Sequence, residues 1–193
     1  MKKFLISVLA LAMLCLPLAG YAEDAAVQLP YGVSFGMNLE EVTQAVGEGS
    51  IVEEWYEDDE SGKDGSGSVF LYDAQVGIGD LQASFITFDI TRNNSPKLPR
   101  LDSISMSLVF DGNCIAAFRS TLAELVAIYG QPDSDPFDEY GRDSYQEFGN
   151  LSASWTLPDI RIHLTLNQAY TENGAIDLNY AYRLCYDLSD LDM

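Results

Sequence analysis

Two stretches of this chain, 83 residues apart, carry the same short pattern, and each is followed by runs in which apolar and polar residues alternate. Asn38-Leu39-Glu40-Glu41-Val42 leads to Val46-Gly47, and Thr121-Leu122-Ala123-Glu124-Leu125 leads to Tyr129-Gly130. In each copy a capping residue, Asn38 or Thr121, stands three positions before a glutamate, leucines and valines recur at helical spacing, and glycine closes the segment. A side-chain oxygen at the cap, a glutamate at the third helical position and a terminal glycine are the start and stop signals of a short amphipathic helix. The alternation that follows is the period of strands with one buried face.

After the first helix the expected strands are Ile51 to Tyr56, Ser68 to Ala74, Leu81 to Thr91 and Leu101 to Phe110. The second helix is expected over about Ile115 to Tyr129, followed by strands at Asp143 to Phe148, Leu151 to Leu157, Ile160 to Asn167 and Ala175 to Arg183. Gly149-Asn150, Pro158-Asp159 and Asn173-Gly174 are pairs that favour tight reversals between them. The fold class is therefore α+β: two tandem repeats of a helix plus a four-stranded antiparallel sheet, with the helices on one face of the sheet. Ile104, Met106, Leu108 and Phe110, then Ile160, Ile162, Leu164 and Leu166, then Ile176, Leu178, Tyr180 and Tyr182 are the sides expected to take the helices. The opposite side presents Ser103, Ser105, Ser107, Ser152, Ser154, Arg161, His163, Thr165, Asn167, Asp177, Asn179 and Arg183.

The amino terminus has the form of an export signal: Lys2 and Lys3, an apolar stretch from Phe4 to Leu18, and small residues in Gly20-Tyr21-Ala22. The expected organisation is a signal peptide at 1–22, a first repeat at 23–112, a second at 113–186 and an acidic tail at 187–193. Cys15 is preceded by Ala12, Met13 and Leu14 and lacks the small residue that lipidation requires immediately before it. Cleavage removes two lysines and no acids, taking the net charge from −20 to −22. Such a surface repels phosphate backbones and anionic lipid. No nucleic acid and no membrane insertion after cleavage are expected, the location is periplasmic or extracellular, and the partner suited to the charge is a basic protein.

Cys114 and Cys185 remain after processing, and in an oxidising compartment such a pair forms a disulfide, here closing a loop of about 70 residues. Two buried thiols or a thiol nucleophile are the alternatives. With two distant cysteines and one histidine, His163, no zinc pattern is present.

Enzyme chemistry finds little to work with in this inventory. Ser105, His163 and Asp177 name the residue types of a hydrolase triad, yet no serine sits in a nucleophile-elbow glycine pattern. Gly77-Ile78-Gly79-Asp80-Leu81-Gln82 lacks the third glycine of a dinucleotide loop and opens a strand, so it reads as a turn. The acids at Asp58, Asp59, Glu60 and Asp64, and at Asp133, Asp135, Asp138 and Glu139, lack the ligand register of a calcium loop and read as solvated acidic turns. No cofactor and no metal site are expected.

Gly36-Met37-Asn38-Leu39-Glu40-Glu41-Val42 through Gly47, and Thr121 through Gly130-Gln131-Pro132 with Ala123 in place of the first glutamate, each lead into an antiparallel sheet. In this the chain resembles the β-lactamase inhibitory protein fold and the SmpA/OmlA lipoprotein modules. The resemblance implies an exported protein-binding module rather than an enzyme. Inhibition of a β-lactamase is not carried over, because the acidic hairpin at 53–60 departs from any matching binding loop. The expected contact residues are Trp55, Tyr56, Glu57, Asp58 and Asp59 in that hairpin and Arg161, His163, Asn179 and Arg183 on the polar sheet side. The competing reading is a domain that binds or hydrolyses envelope glycans or another small ligand.

Overall fold

The computed structural model describes residues 27–55, 65–91, 99–110, 112–138, 141–143, 145, 149–167 and 175–182. The fold is α+β, with one antiparallel eight-stranded sheet and few helices. In chain order the elements are α1 (Leu39–Val46), β1 (Ile51–Trp55), β2 (Ser66–Tyr72), β3 (Gly77–Ile78), β4 (Leu81–Thr91), β5 (Arg100–Val109), α2 (Cys114–Tyr129), β6 (Asn150–Thr156), β7 (Ile160–Asn167) and β8 (Ala175–Tyr182). Across the sheet the order is β1-β2-β4-β5-β8-β7-β6, with the short β3 paired to β4. Strands before α2 form one meander and strands after it another. The two meet where β5 pairs with β8, from Ser103 opposite Ala181 to Leu108 opposite Ile176.

The first helix forms as its ends dictate. The Asn38 carboxamide accepts the Glu41 N–H at 2.9 Å, and the Glu41 carboxylate accepts the Asn38 N–H at 2.8 Å, a reciprocal cap that satisfies two otherwise orphaned donors. Gly47 ends the helix at φ 82°, a conformation that a side chain disfavours. Val42 and Val46 enter the core from the same helix, each contributing roughly 1.5–3 kcal/mol of apolar burial.

The second helix corrects the sequence reading. Its cap is Asn113, whose side chain accepts the Ala116 N–H at 3.0 Å. Thr121 lies in the helix interior, 1% exposed, and its hydroxyl donates to the Ala117 carbonyl at 3.0 Å. A threonine that turns its hydroxyl back onto its own helix needs no outside partner, so it can be buried. The cap-like spacing from Thr121 to Glu124 is therefore coincidental. Phe118 and Leu125 carry the buried face.

A second correction concerns the expected strand at Asp143 to Phe148, since residues 141–143 and 145 are helical. The Asp138 carboxylate accepts the Gly141 N–H at 2.8 Å, and the Arg142 N–H reaches the Asp138 carbonyl at 3.0 Å. Asp138 thus caps a helical turn where alternation suggested a strand. Among the described residues, the half that begins with α2 carries three strands, not four.

Alternate residues of β2 and of β4 to β8 enter one core containing Val69, Leu71, Ile86, Phe88, Ile104, Met106, Leu108, Trp155, Ile162, Leu164, Leu166, Ile176, Leu178 and Tyr180, together with the buried faces of both helices. Gly67 in β2 is a close-approach glycine: a Cβ there would stand 2.6 Å from the Glu53 carbonyl oxygen and 3.2 Å from Leu39 Cδ2. Neither β1 nor α1 could keep its place beside any larger residue.

Residues 1–26, which contain the expected signal peptide, and 183–193, which contain Arg183, Cys185 and the acidic tail, lie outside the described residues. Cys114 opens α2 and packs against the core. Among the described residues no helix is long and apolar enough to cross a membrane.

Candidate functional site: the outward face of the sheet

Residues that alternate with the core positions line up across the whole sheet. One row runs Ile51, Phe70, Thr87, Ser105, Asn179, His163, Ser154, each pair in register on neighbouring strands. The rows beside it are Glu53, Ser68, Asp89, Ser103, Ala181, Arg161, Thr156 and Tyr72, Phe85, Ser107, Asp177, Thr165, Ser152. Seven strands at ~4.8 Å spacing make each full row about 29 Å long.

The face changes character along its length. At the β2/β4 end, Phe70 stacks on Phe85 with ring centroids 5.8 Å apart, and Tyr72 lies 4.9 Å from Phe85. Ile51 beside them is 50% exposed and Tyr72 is 59% exposed, so this is an apolar patch open to water. The centre is a hydroxyl and carboxylate ladder. Ser68 and Ser103 both donate to Asp89, Ser107 donates to Asp177, and the Asn179 amide donates to Ser105 Oγ at 2.8 Å. Among the described residues neither Asp89 nor Asp177 makes an ion pair, so hydroxyls orient both carboxylates without neutralising them. At the β7 end, Arg161 and His163 are exposed.

Of the residues expected from sequence, Arg161, His163 and Asn179 share this face. Trp55 ends β1 opposite Ser66. Its side chain, and Tyr56, Glu57, Asp58, Asp59 and Arg183 entirely, lie outside the described residues. Sequence reasoning missed the aromatic patch of Phe70, Tyr72 and Phe85. Its signal was present as the residues alternating with buried Val69 and Leu71, but the stacking needs the pairing of β2 with β4.

The triad residue types do not form a triad. Ser105, Asn179 and His163 are consecutive across β5, β8 and β7, so Ser105 and His163 are two strand spacings apart, about 9.6 Å. That exceeds direct proton-transfer distance. Ser105 is held by Asn179, and Asp177 is held by Ser107. The Gly77 to Gln82 segment is the expected turn, with Ile78 paired to Leu81.

In the second acidic turn the carboxylates serve separate local roles. Asp133 accepts from the Thr156 hydroxyl at 2.8 Å, Asp135 from the Phe137 N–H at 2.8 Å, and Asp138 from Gly141. Among the described residues no three potential ligands gather around one point. The acids at Asp58, Asp59, Glu60 and Asp64 lie outside the described residues.

Among the described residues, the phenols displaced from their ordinary value are Tyr129 and Tyr180, on the core side. Burial, followed by the charge and hydrogen bond of neighbouring Tyr129, pushes the Tyr180 phenol well above its ordinary value. Burial also raises Tyr129, against a smaller opposing effect of its hydrogen bond with Tyr180. Both phenols therefore stay protonated at neutral pH and act as a packed hydrogen-bonded pair.

These features define an antiparallel α+β protein with a long, chemically graded sheet face. No protein-family model matches the chain, and neither the curated proteins nor the solved structures contain a match to it.

Proposed function

We propose that this is an exported, non-catalytic interaction module, acting in the periplasm or outside the cell, that holds a basic protein partner against the outward sheet face and the acidic hairpin. In this reading the chain is two tandem helix-plus-sheet units with both helices on the core side, akin to the β-lactamase inhibitory protein and SmpA/OmlA modules. The succession of helix then meander, repeated once, supports that layout.

The observation that carries the proposal is the three continuous rows, with an exposed aromatic patch at one end and two carboxylates lacking ion pairs, among the described residues, at the centre. A protein contact needs on the order of 1,000 Å² of total buried surface, and a face about 29 Å long suits that scale. Exposed aromatics supply anchors of the kind found at contact centres, and unneutralised carboxylates favour a basic partner. A glycan site would call for a concave pocket with aromatic walls and converging acids; the broad sheet face supports the protein reading instead.

The charge makes a kinetic prediction. Acids at 57–60 can steer an approaching basic surface, over a screening length of about 8 Å at physiological ionic strength. Replacing Glu57, Asp58, Asp59 and Glu60 with glutamine or asparagine slows association with the partner several-fold at low salt and has little effect at high salt, as read by surface plasmon resonance. An on-rate insensitive to both salt and substitution would reduce the hairpin to a solubilising tip.

A further inference from the structure

Among the described residues the sheet ends in β1 on one side and in β6 on the other, and the two edges are finished differently. At β6 the Asp133 N–H donates to the Ser154 carbonyl at 2.7 Å and the Thr156 hydroxyl donates to the Asp133 carboxylate, so the segment after α2 occupies that edge. At β1, by contrast, Ile51, Val52, Glu53 and Glu54 are all exposed. We propose that β1 accepts an extended segment of another protein as an added antiparallel strand, one in which lysine or arginine alternates with apolar residues. The inference goes beyond the sheet-face reading and does not rest on it.

The backbone of β1 is oriented for such a pairing. A Cβ on Gly67 would stand 2.6 Å from the Glu53 carbonyl oxygen, which places that oxygen on the β2 side. Peptide groups alternate in direction along an antiparallel strand, so the Val52 N–H and C=O point the other way, off the sheet. Among the described residues no backbone group bonds to them. Such groups on an exposed edge are a template for another strand.

The side chains decide what that strand should carry. Val52 stands opposite buried Val69 and so points to the core side, yet it is 39% exposed. The reason is the seat of α1, which packs against β2 and β5 with Leu39 close over Gly67. Beside β1 this leaves an open hollow of about 910 Å³, between Leu39, Thr43 and Gln44 on the helix and Val52 and Glu54 on the strand. That volume lies within the range of about 300–1,000 Å³ typical of ligand clefts. A groove along an edge strand suits strand addition, in which main-chain bonds supply affinity and pockets for alternate side chains supply specificity. Glu54 and Arg100, of opposite sign, both line the hollow, so it selects for apolar shape rather than for charge.

The other set of added side chains would lie on the outward side, beside Ile51 and Glu53. There the exposed Glu53 carboxylate attracts a cation across the strand pair, and Ile51 packs against the aliphatic stem of a lysine or arginine. The two sides together call for alternation of apolar and basic residues. A second copy of this chain is a poor occupant, because each copy brings a net charge of −20.

The test is a titration of the isotopically labelled protein at low salt with a capped peptide of alternating lysine and valine, followed by amide chemical shifts and hydrogen exchange. Shifts are expected at Ile51 to Glu54 and in α1, with slowed exchange of the Val52 N–H. A residue directly opposite Val52 in the added strand shares its side and its hydrogen bonds, so the valine N–H groups of the peptide face β1 and the lysine N–H groups face water. Methylating the valine backbone nitrogens should therefore weaken binding at least about tenfold, while methylating those of the lysines should change it by less than about threefold. Val52→Pro, which removes the edge donor, should weaken the parent peptide by about tenfold with the remaining spectrum native. The two methylated peptides carry the same charge and need no variant of the protein, so equal binding of both would mean attraction without strand addition and would overturn the proposal. No shift at β1 up to about 1 mM peptide, or shifts confined to Thr87, Asn179 and His163, would overturn it as well, the latter leaving the sheet-face reading intact.

Discussion

Replacing Trp155 with alanine is expected to lower the unfolding free energy by about 3–5 kcal/mol, the largest single-residue effect in this fold. The indole is 2% exposed, in β6 opposite Ile162, and its ring meets Tyr129 with centroids 6.5 Å apart. Its Nε1–H donates to the Gly130 carbonyl at 2.8 Å, so one side chain both fills the core and ties the end of α2 to the sheet. Removal leaves a cavity under the helix end and an unsatisfied carbonyl. Single domains have about 5–15 kcal/mol in total, so this loss removes a large fraction of the stability. Trp155→Phe retains most of the apolar volume and loses the hydrogen bond, so it should cost about 1–3 kcal/mol. Urea titrations of both variants, with slopes equal to that of the parent protein, give the comparison. A cost below about 1 kcal/mol for the alanine variant would mean that the end of α2 is held by other contacts.

Cutting the chain after residue 112 is expected to abolish cooperative folding of the amino-terminal part. The seam between the two meanders is a six-pair ladder from Ser103–Ala181 to Leu108–Ile176. Without β8, β5 becomes an open edge, and Ile104, Met106 and Leu108, all 3% exposed or less, lose the neighbours that bury them. A long, apolar, unpaired edge is an aggregation template, and a chain of under 100 residues buries a smaller share of its surface than the whole. Hydrogen exchange on the fragment from residue 23 should show no slowly exchanging core. A protected core in β2, β4 and β5 would show instead that the first half is an independent domain.

Much of the secondary structure was legible because burial on one face imposes a period of two. The expected Leu81 to Thr91 and Ile160 to Asn167 are β4 and β7 with the same ends. The other strands of the sheet path are displaced by no more than two residues. The errors lie where local chemistry imitates another signal. Thr121 with Glu124 has cap spacing inside a continuous helix, and the segment after Asp138 alternates like a strand although Asp138 caps a turn of helix. The outward face was legible as a set of polar residues on separate strands, including Arg161, His163 and Asn179. Its arrangement was not, since the rows depend on β5 joining β8 across an intervening helix and two other strands. The Phe70–Phe85 stack and the Arg119–Phe137 contact depend in the same way on tertiary neighbours, which no local pattern encodes.

The central claim is that the outward sheet face meets a protein. Site-specific photo-crosslinking in the native cell envelope tests it most directly, with the reactive side chain placed at Thr87 in β4, at His163 in β7 and, as a control, at exposed Ala127 in α2. Thr87 and His163 are expected to yield an adduct with the same protein, lost when salt is raised, and Ala127 to yield none. Adducts from Ala127 alone, or none from either face position, would contradict it.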